Sequence, residues 1–200
     1  MADKIHDFDE DVLAGNELEN FLIHDINLKR GLEFYKYHPN NGDYDLFSNV
    51  IDKGIECKND LQGAKHPNIC IEFGQSNVND YIIKPSGLLV TKAEYWIHDN
   101  QTNLYLAHTD RIKKIFDWYN ELEKNRLISI TDPLLKENEL VRKMNEWDNK
   151  KMGIHILYKF RKKQKYGAKL MNLFIIPEIV FRKICLEVAT RNDMTYNKII

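Results

Sequence analysis

The stretch YDLFSNVIDKGIECKND, residues 44–60, sets Asp45 shortly before a Glu-x-Lys triplet made of Glu56, Cys57 and Lys58. Side chains of an extended chain alternate faces, so Ile55 and Cys57 project to one side and Glu56 and Lys58 to the other. Asp43 and Asp45 likewise share a face, opposite Tyr44 and Leu46. A tight turn around Asp52-Lys53-Gly54 folds the two segments together and brings Asp45 within reach of Glu56. Two carboxylates so placed repel each other unless a cation lies between them. A hard divalent ion with oxygen ligands suits such a site, Mg²⁺ above all, with Mn²⁺ as a substitute. A lysine beside it can orient or activate a water, or stabilise charge developing on a phosphoryl oxygen. On a solvent-facing strand the same residues would form a cross-strand ion pair contributing ~0.2–1 kcal/mol. Spacing alone leaves both readings open.

The elements that would position these residues follow from periodicity. Residues 9–29 carry Leu18, Phe21, Leu22, Ile26 and Leu28 at helical spacing, with acids at the start and Lys29-Arg30-Gly31 at the end. The segments 32–38, 43–49, 52–59 and 68–74 are short, rich in aromatic or β-branched residues and separated by turn chemistry. They read as strands of one mostly antiparallel sheet. Residues 86–100 read as a turn and then a helix opening near Thr91 as N-cap. A strand over 102–109 and a helix over 109–126 follow, the helix with Ile112, Ile115, Phe116 and Tyr119 on one face. The order of elements predicts an α/β layer with a mixed sheet. Beyond residue 127 the pattern gives a polar helix (134–150) and two strands joined at Tyr166-Gly167. A last helix follows Pro177. This C-terminal part is either an appended subdomain or a source of further strands for the same sheet.

The order of a helix bearing an acid, a strand with Asp45 and a Glu56-Cys57-Lys58 strand resembles the PD-(D/E)xK nuclease superfamily. The stretch 68–99 resembles a branch of it found in phage and bacterial genomes. There an apolar strand ending in Ile-Glu, here Asn68 to Glu72, precedes a segment matched by Ser86-Gly87, Thr91, Ala93, Tyr95 and Trp96. The likeness spans roughly residues 12–110, departs at Tyr44, where the superfamily has proline, and does not extend to 127–200. It implies a restriction-endonuclease-like core over 1–126, a central mixed β-sheet flanked by helices, with 127–200 as a C-terminal extension. It also implies a metal-dependent phosphodiesterase acting on DNA and leaving 5′-phosphate and 3′-hydroxyl ends. Asp45 and Glu56 would be metal ligands with the backbone carbonyl of Cys57, and Lys58 would position or activate the attacking water. Glu19 on the first helix is a candidate auxiliary acid. Glu72, the acid of an otherwise apolar strand, is a further catalytic candidate, and Gln75 beyond it a substrate contact.

Other features bear on a nucleic-acid partner. Ser86, Thr91 and Lys92 at a helix start could hold a phosphate; capping and core packing is the competing reading. No acid occurs between Asp148 and Glu178. Arg161, Lys162, Lys163 and Lys165 cluster there with interleaved aromatics, so a basic hairpin could follow a phosphate backbone. The formal net charge is −1, so this patch would have to supply most of the attraction to DNA. Cys57, Cys70 and Cys185 form no CxxC, which argues against a zinc knuckle or a disulfide framework and for reduced thiols in the cytoplasm. The N-terminal stretch is acidic without an apolar run, so no signal peptide is expected, and no segment is apolar enough for a membrane span. DNA is the expected partner, a membrane is not, and a homodimer is allowed. P-loop, dinucleotide-binding, GxSxG and HExxH signatures are absent from the sequence.

Overall fold

Two sheets divide the strands of this mixed α/β chain. The computed structural model describes residues 13, 15–24, 31, 33–36, 43–61, 63–65, 68–77, 82–128, 155–163 and 169–190. The polar helix expected over 134–150 lies outside them. Helix α1 covers 15–24. It is followed by β1 (Phe34–Lys36), β2 (Leu46–Ser48), β3 (Lys53–Asn59), β4 (Asn68–Asn77) and β5 (Lys84–Pro85). Then come β6 (Tyr95–Asp99), β7 (Asn103–His108), α2 (Thr109–Ile128), β8 (His155–Lys163), β9 (Lys169–Pro177), α3 (Glu178–Ile184) and β10 (Cys185–Thr190). Among the described residues, no helix is long and apolar enough to cross a membrane.

The central sheet is mixed, in the order β1-β2-β3-β6-β7-β10, and its one parallel pair is β3 with β6. Between those two strands the chain leaves for the second sheet, ordered β5-β4-β9-β8. Segment 68–74 was expected in one sheet with the three strands before it; instead it pairs with β9 from Asn68↔Pro177 to Asn77↔Lys169 in the second sheet. The reason is its alternation. Ile69, Ile71 and Phe73 make an apolar face that packs against Trp96, Tyr105 and Ala107 of the central sheet, with Phe174 and Ile176 of β9 beside it. Helix α2 joins this core through Ile112, Phe116 and Tyr119. The other face of the central sheet, Leu46, Ile55, Cys57, Ile97, Leu104 and Leu106, is covered by Leu18 and Leu22 of α1. Strands β9 and β10 thus tie the C-terminal chain into both sheets.

The helix expected from Thr91 does not form. Residues 87–89 make one 3-10 turn, and Tyr95–Asp99 is strand β6. Tyr95-Trp96-Ile97 has strand composition, and parallel pairing of Ile55 to Asn59 with Tyr95 to Asp99 settles it. Tertiary pairing overrides a short ambiguous apolar run.

Candidate active site

Hairpin β2–β3 delivers the acidic pair. Leu46 pairs with Ile55, which places Asp45 opposite Glu56, and the Asp45 amide donates to the Ile55 carbonyl at 3.0 Å. Asp52 closes the turn in a left-handed conformation, φ 54°, which aspartate tolerates. Tyr44 lies over Gly54 so closely that a Cβ there would fall 2.6 Å from its ring, so the hairpin depends on that glycine. The Asp45 carboxylate is oriented by the Cys57 amide, which donates to Oδ2 at 2.7 Å.

Lys58 closes the cluster. Its ammonium lies 2.5 Å from Glu56 Oε1 and 3.9 Å from Asp45 Oδ2, and 5.7 Å from the centre of the Trp96 ring. Glu56 is only 7% exposed, because its face of β3 is the one the second sheet covers. That removes the surface ion-pair reading for Glu56, since a carboxylate is buried only with partners. The partners are Lys58 and the Thr91 hydroxyl, which donates to Oε2 at 2.8 Å. Asp45 and Lys58 stay partly open, with side chains 30% and 37% exposed, so solvent reaches the cluster from their side.

The electrostatics record the crowding. Burial pushes the Asp45 carboxyl up to about 6; the Glu56 and Glu19 charges add to the rise, while Lys58 and the Cys57 amide oppose it. Burial disfavours the Lys58 charge, but the Glu56 and Asp45 carboxylates outweigh it and hold the ammonium well above the ordinary lysine range. The Cys57 side chain is core. Burial, reinforced by Asp45, Glu19 and Glu56, keeps it a thiol, so only its backbone is available to the site. The donor set, two carboxylates and a backbone carbonyl, is all oxygen. That fits Mg²⁺, which binds through one or two carboxylates and keeps waters and phosphate oxygens for its remaining positions.

The remaining expected residues fall into two groups. Glu19 acts on Asp45 and is held by Lys36 of β1, with Nζ 3.1 Å from Oε2. Glu72 belongs to the second sheet. Its Oε1 accepts from Ser86 Oγ at 2.5 Å and Gln75 Nε2 at 2.9 Å, so Ser86 and Gln75 serve Glu72. The convergence expected of the carboxylates at 45, 56 and 72 is not found: among the described residues, no three His, Cys, Asp or Glu side chains are arranged to hold a metal ion.

The phosphate site expected at 86–92 is corrected too, because the helical element there is only the three-residue 3-10 turn Gly87–Leu89 and no α-helix opens at Thr91. Thr91 is buried against Glu56, and the exposed Lys92 pairs with Asp43 at 3.0 Å. Arg161, Lys162 and Lys163 lie on β8, and Lys165 lies outside the described residues.

Sequence reading missed Lys36 and Lys113. A lone lysine in the aromatic strand FYK was a usable signal for the first. Lys113 donates to the Thr91 carbonyl at 3.0 Å from a helix position that carries no signal. No family model, curated protein or solved structure matches the chain.

Proposed function

We propose that this protein is a Mg²⁺-dependent DNA nuclease built on a restriction-endonuclease-like core, with Mn²⁺ able to substitute. The observation that carries this reading is the buried Glu56 carboxylate beside Asp45, with Lys58 as their shared cation. Asp45, Glu56 and the Cys57 carbonyl would hold the metal. When bound, the metal neutralises phosphate charge and lowers the pKa of the attacking water.

The chain's own groups define the rest. Asp45 is fixed by the Cys57 amide and Glu56 by Thr91, so both acids keep their orientation without a ligand. Lys58, held as an ammonium by those acids, is a donor at neutral pH and not a base. Its role is to orient the water and to stabilise negative charge growing on the phosphoryl oxygens. The water gives up a proton to solvent as its oxygen bonds to phosphorus, the bond from phosphorus to the 3′ oxygen breaks, and that oxygen takes a proton from solvent. The ends are a 5′-phosphate and a 3′-hydroxyl.

Incubation of the purified protein with supercoiled plasmid and with branched DNA, in Mg²⁺ or in EDTA, tests this. Mg²⁺-dependent nicking that Lys58→Ala abolishes without unfolding is the expected result; no cleavage of either substrate would overturn it. The second reading is a DNA-binding accessory protein that keeps the fold and cuts weakly. The missing three-carboxylate cluster favours it. It predicts salt-sensitive DNA binding that survives Lys58→Ala and weakens when Arg161, Lys162, Lys163 and Lys165 are neutralised.

A further inference from the structure

One segment, 86–91, holds an acid from each sheet. At its start the Ser86 hydroxyl donates to Glu72 Oε1, and Gly87 presses against the Glu72 backbone, where a Cβ would fall 2.4 Å from the carbonyl oxygen. At its end the Thr91 hydroxyl has one proton and two acceptors in range, Glu56 Oε2 at 2.8 Å and the Asp43 carbonyl at 3.2 Å. The carboxylate is nearer and charged, so it takes the proton. Thr91 cannot turn away. The Ala93 amide donates to its Oγ1 at 3.2 Å, its own amide donates to Gly87 O at 3.0 Å, and Lys113 donates to its carbonyl at 3.0 Å. At 3% exposure, Thr91 is closed off from bulk solvent.

The consequence concerns how many oxygens each acid can give a metal. Asp45 Oδ2 is committed to the Cys57 amide and Glu56 Oε2 to Thr91. That leaves Oδ1 of Asp45, and Oε1 of Glu56, which the Lys58 ammonium holds at 2.5 Å and which a metal ion would take over from it. Calcium collects more oxygens than magnesium and readily takes both from one carboxylate, whereas magnesium demands near-octahedral geometry with single oxygens.

The geometry points to Thr91 as a specificity-determining residue that restricts Glu56 to one ligand oxygen and so favours Mg²⁺ over Ca²⁺. This inference rests on the metal-dependent reading above. Thr91 touches no reacting atom; it is a positioning residue acting through Glu56.

Calorimetric titration of the protein with Mg²⁺, Mn²⁺ and Ca²⁺, without DNA, tests it. Thr91→Val removes the hydroxyl at constant shape. The ratio of the Ca²⁺ Kd to the Mg²⁺ Kd should then fall by about tenfold, the scale on which outer-shell hydrogen bonds act on metal sites. Thr91→Ser, which keeps the hydroxyl, should hold the wild-type ratio. An unchanged ratio in Thr91→Val with wild-type metal binding intact overturns this inference alone. Failure of the wild type to bind any of the three ions overturns the metal-dependent reading and this inference with it. Should Thr91→Val not fold, Lys113→Met, which frees the Thr91 carbonyl, should lower the ratio in the same direction by a smaller factor; no change in it is equally decisive.

Discussion

Lys58 places its ammonium 2.5 Å from Glu56 Oε1, on the side of Glu56 that faces Asp45, and so occupies the ground a divalent ion would contest. Replacing it with an uncharged chain of similar length, Lys58→Met, leaves a buried carboxylate without its cation. The metal-free variant should lose about 1–3 kcal/mol, less than a fully buried pair because Lys58 is partly exposed. Saturating Mg²⁺ should then raise the Tm of the variant more than that of the wild type, since the ion restores the missing charge. Urea titrations and thermal melts with Mg²⁺ or EDTA measure both effects. An equal Mg²⁺ response in the two proteins would rule out competition between the ammonium and the ion.

Asp45 has the opposite sign. Its folded carboxyl titrates at about 6, above its ordinary 3.8. Holding it ionised therefore costs stability at neutral pH, and the cost disappears as pH falls through 6 towards 3.8. Asp45→Asn keeps an oxygen for the Cys57 amide and removes the charge. In EDTA it should be more stable than wild type at pH 7, by about 1–3 kcal/mol. The gain should vanish near pH 4. It should also lack nuclease activity. An advantage over wild type no larger at pH 7 than at pH 4 would show that Asp45 is not under this strain.

The acidic pair and its lysine were legible because a strand's period of two and a short turn fix which side chains share a face; Asp45, Glu56 and Lys58 needed nothing else. Helix α2, the 155–177 hairpin and the helix after Pro177 were legible from periodicity and turn residues. Two things were not. Whether β4 pairs beside β3 or with a strand a hundred residues later is a long-range choice that local pattern does not encode. The short apolar run at Tyr95 fits either period, and its parallel partner β3 decided it. Thr91 was singled out for a phosphate and instead holds Glu56, an error that follows directly from the mistaken helix.

Gly87 tests whether the segment joining the two acids matters. Its φ is +49°, and a Cβ would fall 2.4 Å from the Glu72 carbonyl oxygen. Gly87→Ala should cost about 2–3 kcal/mol, combining the backbone penalty with displacement of the segment. Because the same segment carries Thr91, Mg²⁺ affinity should weaken in the folded fraction as well. Denaturant titration gives the first number and calorimetry at low temperature the second. A destabilised variant with wild-type Mg²⁺ affinity would show that the Glu72 end does not influence Glu56.

His98 offers an acid-side prediction independent of the metal. It pairs in register with Lys58, is 1% exposed, and neither ring nitrogen has a hydrogen-bond partner among the described residues. Burial depresses the imidazole to about 4; the nearby Asp60 charge opposes the drop and Lys58 adds to it. The folded pKa lies below the ordinary 6.5, so the unfolded chain takes the proton first. The stability this group contributes is present above 6.5 and is lost as pH falls towards 4. Asp45 changes in the opposite direction over much of the same range, so the wild-type profile between pH 4 and 6 should be flatter than either residue alone would give. His98→Leu removes the loss. Relative to wild type it should gain about 2–3 kcal/mol between pH 7 and pH 4, whatever its offset at pH 7. Urea unfolding at several pH values in EDTA reads this, and parallel profiles for the two proteins would mean that His98 takes up a proton without opening the core.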